Sequence, residues 1–214
     1  MQRIAIVDYG MGNLHSVASA FRHVASDADV VVSCDPKLIQ SADRVVLPGV
    51  GAIRDCMAEI KRLEVDALVA DIIAQRQPLL GICVGMQVLL SFSEENGGVN
   101  CLDHFSGKVA AFQSYPDFRK LDSDLKVPHM GWNQVMQHNE HPLWQGIDNQ
   151  AHFYFVHSYC VKLNTLDEQM GSCNYGTSFT AALGRDSVFA TQFHPEKSHS
   201  DGLTLLKNFS QWCP

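Results

Sequence analysis

The chain contains no Cys-x-x-Cys pair, and its seven cysteines, at 34, 56, 83, 101, 160, 173 and 213, are odd in number and widely scattered. That pattern excludes a disulfide framework and points to a reducing, cytoplasmic setting. No basic cluster exceeds Arg119-Lys120, and the net charge is −7. Nucleic acid and anionic membranes are therefore not expected as partners. No apolar run approaches the length that spans a bilayer. No secretory leader is expected, because Met1-Gln2-Arg3 leads straight into a short Ile/Val strand. Linkers and repeats are also missing. One domain over residues 1–214 is expected, with 46% hydrophobic residues to build its core. Among the ten histidines, His138 and His141 lie three apart with His129 nearby. No cysteine or carboxylate stands at ligand spacing to complete a metal site, so a polar loop with solvated histidines is expected. Neither metal nor cofactor is implied.

What is present is a strand–helix alternation. Residues 3–8 read as a buried strand, followed by the glycine-rich turn Tyr9-Gly10-Met11-Gly12-Asn13. Leu14, Val17, Ala18, Phe21, Val24 and Ala25 recur at helical spacing. Strands follow at 30–33 and 45–47, with Asp35-Pro36 opening a short helix between them. Helices are expected at 53–63 and 66–75, then a strand at 78–82 and a helical run at 86–90. This order predicts an α/β fold with a mixed, mostly parallel central sheet and helices on both faces. Short strands at 107–112, 159–161, 178–183 and 187–192 add a smaller, partly antiparallel portion in the C-terminal half. Residues 113–127 read as a polar surface excursion, and a last amphipathic helix runs through Leu203, Leu206 and Phe209. The glycines at 10 and 12 do not make a dinucleotide fingerprint, since position 15 is His and no acidic residue ends the second strand. Open α/β sheets bind ligands at the carboxyl ends of their strands. Gly10/Gly12, Gly49/Gly51 and Cys83 all fall there and are expected to line one crevice.

Cys83 carries the chemistry. In Gly81-Ile82-Cys83-Val84-Gly85-Met86-Gln87 a cysteine has glycines two residues away on each side, between strand and helix. This is the nucleophile-elbow pattern with sulfur as nucleophile. A following helix N-terminus would favour the thiolate. A buried cysteine in an ordinary strand–helix unit has the same local sequence. The second element is His194-Pro195-Glu196. After an extended stretch, residues i and i+2 project the same way, and Pro195 forbids helix between them. The carboxylate would then fix the imidazole and leave its other nitrogen for Cys83. Alone, this tripeptide is equally compatible with a structural role. Acyl chemistry also needs an oxyanion hole. The Val84 N–H and a backbone N–H from the Gly49-Val50-Gly51 loop are the candidate donors.

Together these residues resemble the class I, triad-type glutamine amidotransferases. The heptad around Cys83 matches their nucleophile motif, His194-Pro195-Glu196 their His-x-Glu, and Pro48-Gly49-Val50-Gly51 their oxyanion strand. The resemblance narrows to the glutaminase subunits of imidazole glycerol phosphate synthase. It does so through Asp8-Tyr9-Gly10-Met11-Gly12-Asn13-Leu14, Pro128-His129-Met130-Gly131-Trp132-Asn133, Phe155-Val156-His157-Ser158-Tyr159 and Gln192-Phe193-His194-Pro195-Glu196-Lys197-Ser198. It implies that Cys83 forms a glutamyl thioester, His194 acts as acid and base, and Glu196 orients His194. Gly51, Gln87, Glu95, His157, Ser158 and Tyr159 would hold glutamine. The ammonia would pass to a (β/α)₈ cyclase partner of the HisF type, docked near Asn13, Met130, Trp132, Tyr154 and Lys197. A paralogue that supplies ammonia to another synthase, such as one for nucleotide-sugar amidation, would carry the same motifs. A catalytically silent binding module would not need Cys83, His194 and Glu196 intact.

Overall fold

Short runs of Ile, Val and Leu form the strands that carry the site. The computed structural model describes residues 1–120 and 125–214. Its first half runs β1 (Arg3–Val7), α1 (Leu14–Val24), β2 (Asp29–Ser33), α2 (Pro36–Gln40), β3 (Arg44–Gly49), α3 (Ile53–Arg62), α4 (Val65–Ala74), β4 (Leu79–Cys83) and the single turn α5 (Val84–Gln87). Every residue of β3 and β4 is buried, as strands covered on both faces require. The helices are amphipathic. In α3 the buried Ile53, Cys56, Met57 and Ile60 fall on one stripe. Asp35 caps α2 by accepting from the Lys37 N–H at 3.0 Å, with Pro36 at the first helical position.

The second half runs β5 (Leu90–Ser93), β6 (Val99–Asn100), β7 (Phe105–Ala111), α6 (Pro116–Lys120), β8 (His129–Gln134), β9 (Met136–Gln137), β10 (His152–His157), β11 (Tyr159–Leu163), β12 (Gln169–Asn174), β13 (Ser178–Arg185), β14 (Val188–Thr191) and α7 (His199–Gln211). The main sheet has the order β2-β1-β3-β4-β14-β13-β11-β7-β5-β6, and β12 also pairs with β13. From β2 to β14 the strands run parallel; β13 then runs antiparallel to β14, and β11 antiparallel to β13. From β1 the chain steps one way to β2 and then the other way to β3 and β4. Right-handed crossovers therefore place α1 on one face and α2, α3 and α4 on the other. The closing helix α7 packs on α1. Arg44, at the start of β3, is buried and donates to the carbonyls of Phe209 at 2.8 Å and Trp212 at 2.6 Å. It thereby ties the C-terminal end of α7, where the Phe209 carbonyl also accepts from the Trp212 N–H, to the start of β3.

Three expectations change. The apolar run after Cys83 is one helical turn, not a helix over 86–90, and Leu90 already begins β5. The strands β8 and β10 form a separate antiparallel pair, with Trp132 opposite Tyr154 and His129 opposite His157. The excursion over 113–127 contains the short helix α6, and residues 121–124 lie outside the described residues. Among the described residues no helix is long and apolar enough to cross a membrane.

Candidate active site

Cys83 ends β4 with φ +56° and ψ −110°, backbone that a side chain rarely adopts and that costs roughly 1–3 kcal/mol. The surroundings hold it there. A Cβ at Gly85 would overlap the Leu47 carbonyl oxygen. A Cβ at Gly81 would meet the Gly85 carbonyl oxygen at 2.9 Å. Gly85 thus lets the turn after Cys83 close on β3, Gly81 lets it fold back over β4, and the strain falls on the cysteine. Because α5 is a single turn, no long helix dipole acts on the sulfur. The free N–H groups of that first turn remain nearby.

His194 reaches Cys83 through strand order. β14 lies parallel to β4 with Thr191 opposite Ile82, and the chain then turns over the end of β4. Its backbone is clamped: the His194 N–H donates to the Tyr154 carbonyl at 2.9 Å, and Ser198 Oγ donates to the His194 carbonyl at 2.6 Å. His194 Nδ1 lies 2.9 Å from Glu196 Oε1, with the side chains 3% and 0% exposed. The contact is made by a 3₁₀ turn over Pro195–Lys197, not by extended alternation. Proline fits the first position of that turn, where its missing N–H costs nothing. A carboxylate on Nδ1 places the proton there and leaves Nε2, buried and without another partner, for the sulfur. Burial alone would lower the His194 pKa, but the Cys83 sulfur and the Glu196 carboxylate push it up to about 10. Both neighbours thus favour the imidazolium over the neutral ring.

A cleft of about 370 Å³ opens over Cys83, lined among others by Val50, Gly51, Val84, Gln87, Glu95, His157, Ser158, Tyr159, His194 and Lys197. The structure so gathers the triad cysteine and histidine, one candidate oxyanion donor from each loop, and all six expected glutamine-binding residues. Pro128 and Val156 line it too. Both lie in the motifs quoted above but carry no polar side chain to mark them. Gly10, Gly12 and Gly49 do not line it. Instead Tyr9, at the first turn, donates its hydroxyl to the Pro48 carbonyl at 2.8 Å. Cys56 Sγ donates to the Val50 carbonyl at 3.5 Å. These two side chains support the oxyanion loop from behind. Gly51 adopts φ +92°, which favours glycine. Glu95 is half-buried rather than solvated and accepts from the Ile53 N–H at 3.2 Å.

The histidine expectations change as well. His129 is 3% exposed, its ring stacked on Tyr175 and its Nδ1 2.9 Å from His157 Nε2. Burial pushes the pKa of His129 down to about 4 and that of His157 to about 3, so both are neutral. His157 Nδ1 faces the Tyr159 carbonyl at 2.8 Å and must carry the proton. His141 is half-buried between Phe189 and Trp212. Among the described residues no cluster could hold a metal ion. On the opposite face of β8 and β10, Met130 is 62% and Trp132 44% exposed. Trp132 stacks on His199 and meets Tyr154 edge-on, and Lys197 Nζ lies over the Tyr154 ring. Asn13 stands half-buried before α1, on a separate element.

The model of the family "Glutamine amidotransferase class-I" matches residues 5–212. The imidazole glycerol phosphate synthase subunit HisH 1 of Pseudomonas aeruginosa is 58% identical, over 99% of this chain and 98% of its own. The HisH protein of Acinetobacter baylyi is 53% identical, over 99% of each chain. Among solved structures, a glutamine amidotransferase from Thermotoga maritima aligns with TM-score 0.62 at 14% identity, over 91% of this chain and 76% of its own. PurLQS from Thermotoga maritima aligns with TM-score 0.69 at 15% identity, over 97% of each. At such identities these two speak for the fold alone. The chain belongs to the class I glutamine amidotransferases, among the HisH subunits of imidazole glycerol phosphate synthase.

Proposed function

We propose that Cys83, His194 and Glu196 hydrolyse glutamine and that the ammonia passes to a HisF-type cyclase docked beside the cleft. As a member of the HisH subunits the chain is the glutaminase part of an enzyme of histidine biosynthesis. The observation that carries the site assignment is the buried His194, bonded to Glu196 on one nitrogen and open to the strained Cys83 on the other.

The thiolate attacks the carboxamide carbon of glutamine. The oxyanion is met by the N–H groups of Val84 and of the Gly49–Val50 peptide. His194 gives its proton to the departing nitrogen, ammonia leaves, and a glutamyl thioester remains. Neutral His194 then takes a proton from water, which attacks the thioester; collapse expels the thiolate and releases glutamate. Gly51, Gln87, Glu95 and the 157–159 backbone surround the space for the amino-acid end. The whole chain acts as one domain, supported by a core that runs continuously from Ile4 to Trp212. Its seven free cysteines fit a cytoplasmic setting. Met130, Trp132, Tyr154 and Lys197 form the proposed docking face: Lys197 both lines the cleft and reaches Tyr154, so the cleft opens toward the exposed aromatic surface. Asn13 is proposed at its margin.

The test is glutamate release from glutamine, with and without the cyclase partner and its nucleotide substrate. Release is expected to rise strongly, by at least about tenfold, when both are present. No stimulation by that pair would contradict the assignment.

A further inference from the structure

The site holds a buried carboxamide that the mechanism above does not use. Gln192, which follows β14, is 0% exposed. Its Nε2 lies 3.8 Å from Cys83 Sγ, and its Oε1 lies 2.9 Å from Gln87 Nε2. We propose that the Gln192 carboxamide is a second hydrogen-bond donor to the Cys83 sulfur and helps to hold it as thiolate.

The amide orientation follows from its neighbours. Gln87 Nε2 also lies 3.2 Å from the backbone carbonyl of Tyr159. A carbonyl only accepts, so the Gln87 group there is the NH₂. That NH₂ needs an oxygen on its other side, which fixes Oε1 of Gln192 toward it. The NH₂ of Gln192 is then the group left to face Cys83. One backbone carbonyl thus sets two carboxamides in series and ends them in a donor aimed at sulfur. A buried amide N–H gains most from a charged acceptor, roughly twice what a neutral one offers. The contact therefore favours the thiolate over the thiol and over the thioester. The same donor helps the sulfur to leave when the thioester is hydrolysed.

This inference rests on the reading of Cys83 as the nucleophile for glutamine, so its test avoids glutamine. The pH dependence of iodoacetamide modification at Cys83 is followed by mass spectrometry of the Cys83 peptide in the full chain. Three proteins are compared: wild type, Gln192→Met and Gln192→Glu. Methionine keeps the length and removes both amide functions. Glutamate keeps an oxygen for Gln87 and replaces the N–H toward sulfur by a carboxylate oxygen, whose charge also opposes the thiolate, so its midpoint should rise further than that of Gln192→Met. The midpoint is expected to move up by about one pH unit or more in both variants. In complex with the cyclase, kcat should fall by about tenfold while KM stays within about threefold. A wild-type midpoint in Gln192→Glu overturns the proposal, since Gln192 would then only space Gln87. Should Gln192→Met fail to fold, Gln192→Leu takes its place, because a rise in Gln192→Glu alone also follows from its added charge. An absence of glutamine turnover in the wild-type complex would instead contradict the glutaminase reading, and the alkylation midpoints would still report on the donor.

Discussion

Cys83→Ala is expected to lower glutamine turnover by roughly 10⁴-fold or more, the scale seen when a triad nucleophile is removed. Synthesis from free ammonia by the same complex should stay near the wild-type rate. The two readouts separate chemistry from architecture. Without the sulfur no thioester forms, and water would have to attack an amide directly, with only the oxyanion donors and binding left to help. The backbone should persist: Cys83 is 5% exposed, alanine is smaller, and the tight turn is enforced by the close packing at Gly81 and Gly85 rather than by the thiol. On the proposed division of labour, ammonia-dependent synthesis takes place on the partner and does not use the Cys83 sulfur. Equal loss of both activities would make Cys83 structural.

Gly49→Ala is expected to cost about 10²–10³ in kcat, the usual loss when one oxyanion donor is misplaced. An added Cβ would meet Tyr9 Oη at 2.6 Å, the Gly85 backbone nitrogen at 2.8 Å and Val84 Cβ at 2.9 Å. The last two belong to the elbow itself, and Gly49 is in register with Cys83 on the neighbouring strand. Something must shift, and whichever side yields, the spacing between the 48–51 loop and the turn at Val84, the two proposed sources of oxyanion donors, changes. KM should change less than kcat, because the residues proposed to hold the amino-acid end of glutamine lie elsewhere in the cleft. Circular dichroism would verify the fold, and steady-state glutaminase assays of the complex would give the two constants. An unchanged kcat would show that this loop contributes no donor. Glycine at 49 is thus a matter of space, whereas glycine at 51 answers a positive φ.

The parallel half of the sheet was legible because its strands are apolar runs punctuated by glycine and proline. The elbow was legible because its glycines are a steric necessity: Gly85 against the Leu47 carbonyl of β3, and Gly81 against Ala190 of β14 and the turn itself. Other features were hidden for physical reasons. Val88, Leu89 and Leu90 are all fully buried, and a short run apolar on every side does not distinguish helix from strand. The His194–Glu196 contact was anticipated, but its geometry was not, since Pro195 permits the first turn of a 3₁₀ helix as readily as it breaks an extended segment. β8 was invisible because Gly131 interrupts it, and one face presents Met130 and Trp132 to solvent. His129 looked like a loop histidine. Only the pairing of β8 with β10 brings it to His157 and an aromatic shell. Gln192 and Gln87 stand 105 residues apart, so their contact exists only in the folded sheet.

The claim at the centre is that glutamine passes through a covalent bond to Cys83. Acid quenching of the complex during turnover, followed by mass spectrometry of its peptides, tests it directly. The account predicts one glutamyl group on the peptide carrying Cys83, present only with glutamine and absent from Cys83→Ala. Sustained glutamate release with no adduct at Cys83, together with an active Cys83→Ala, would contradict it.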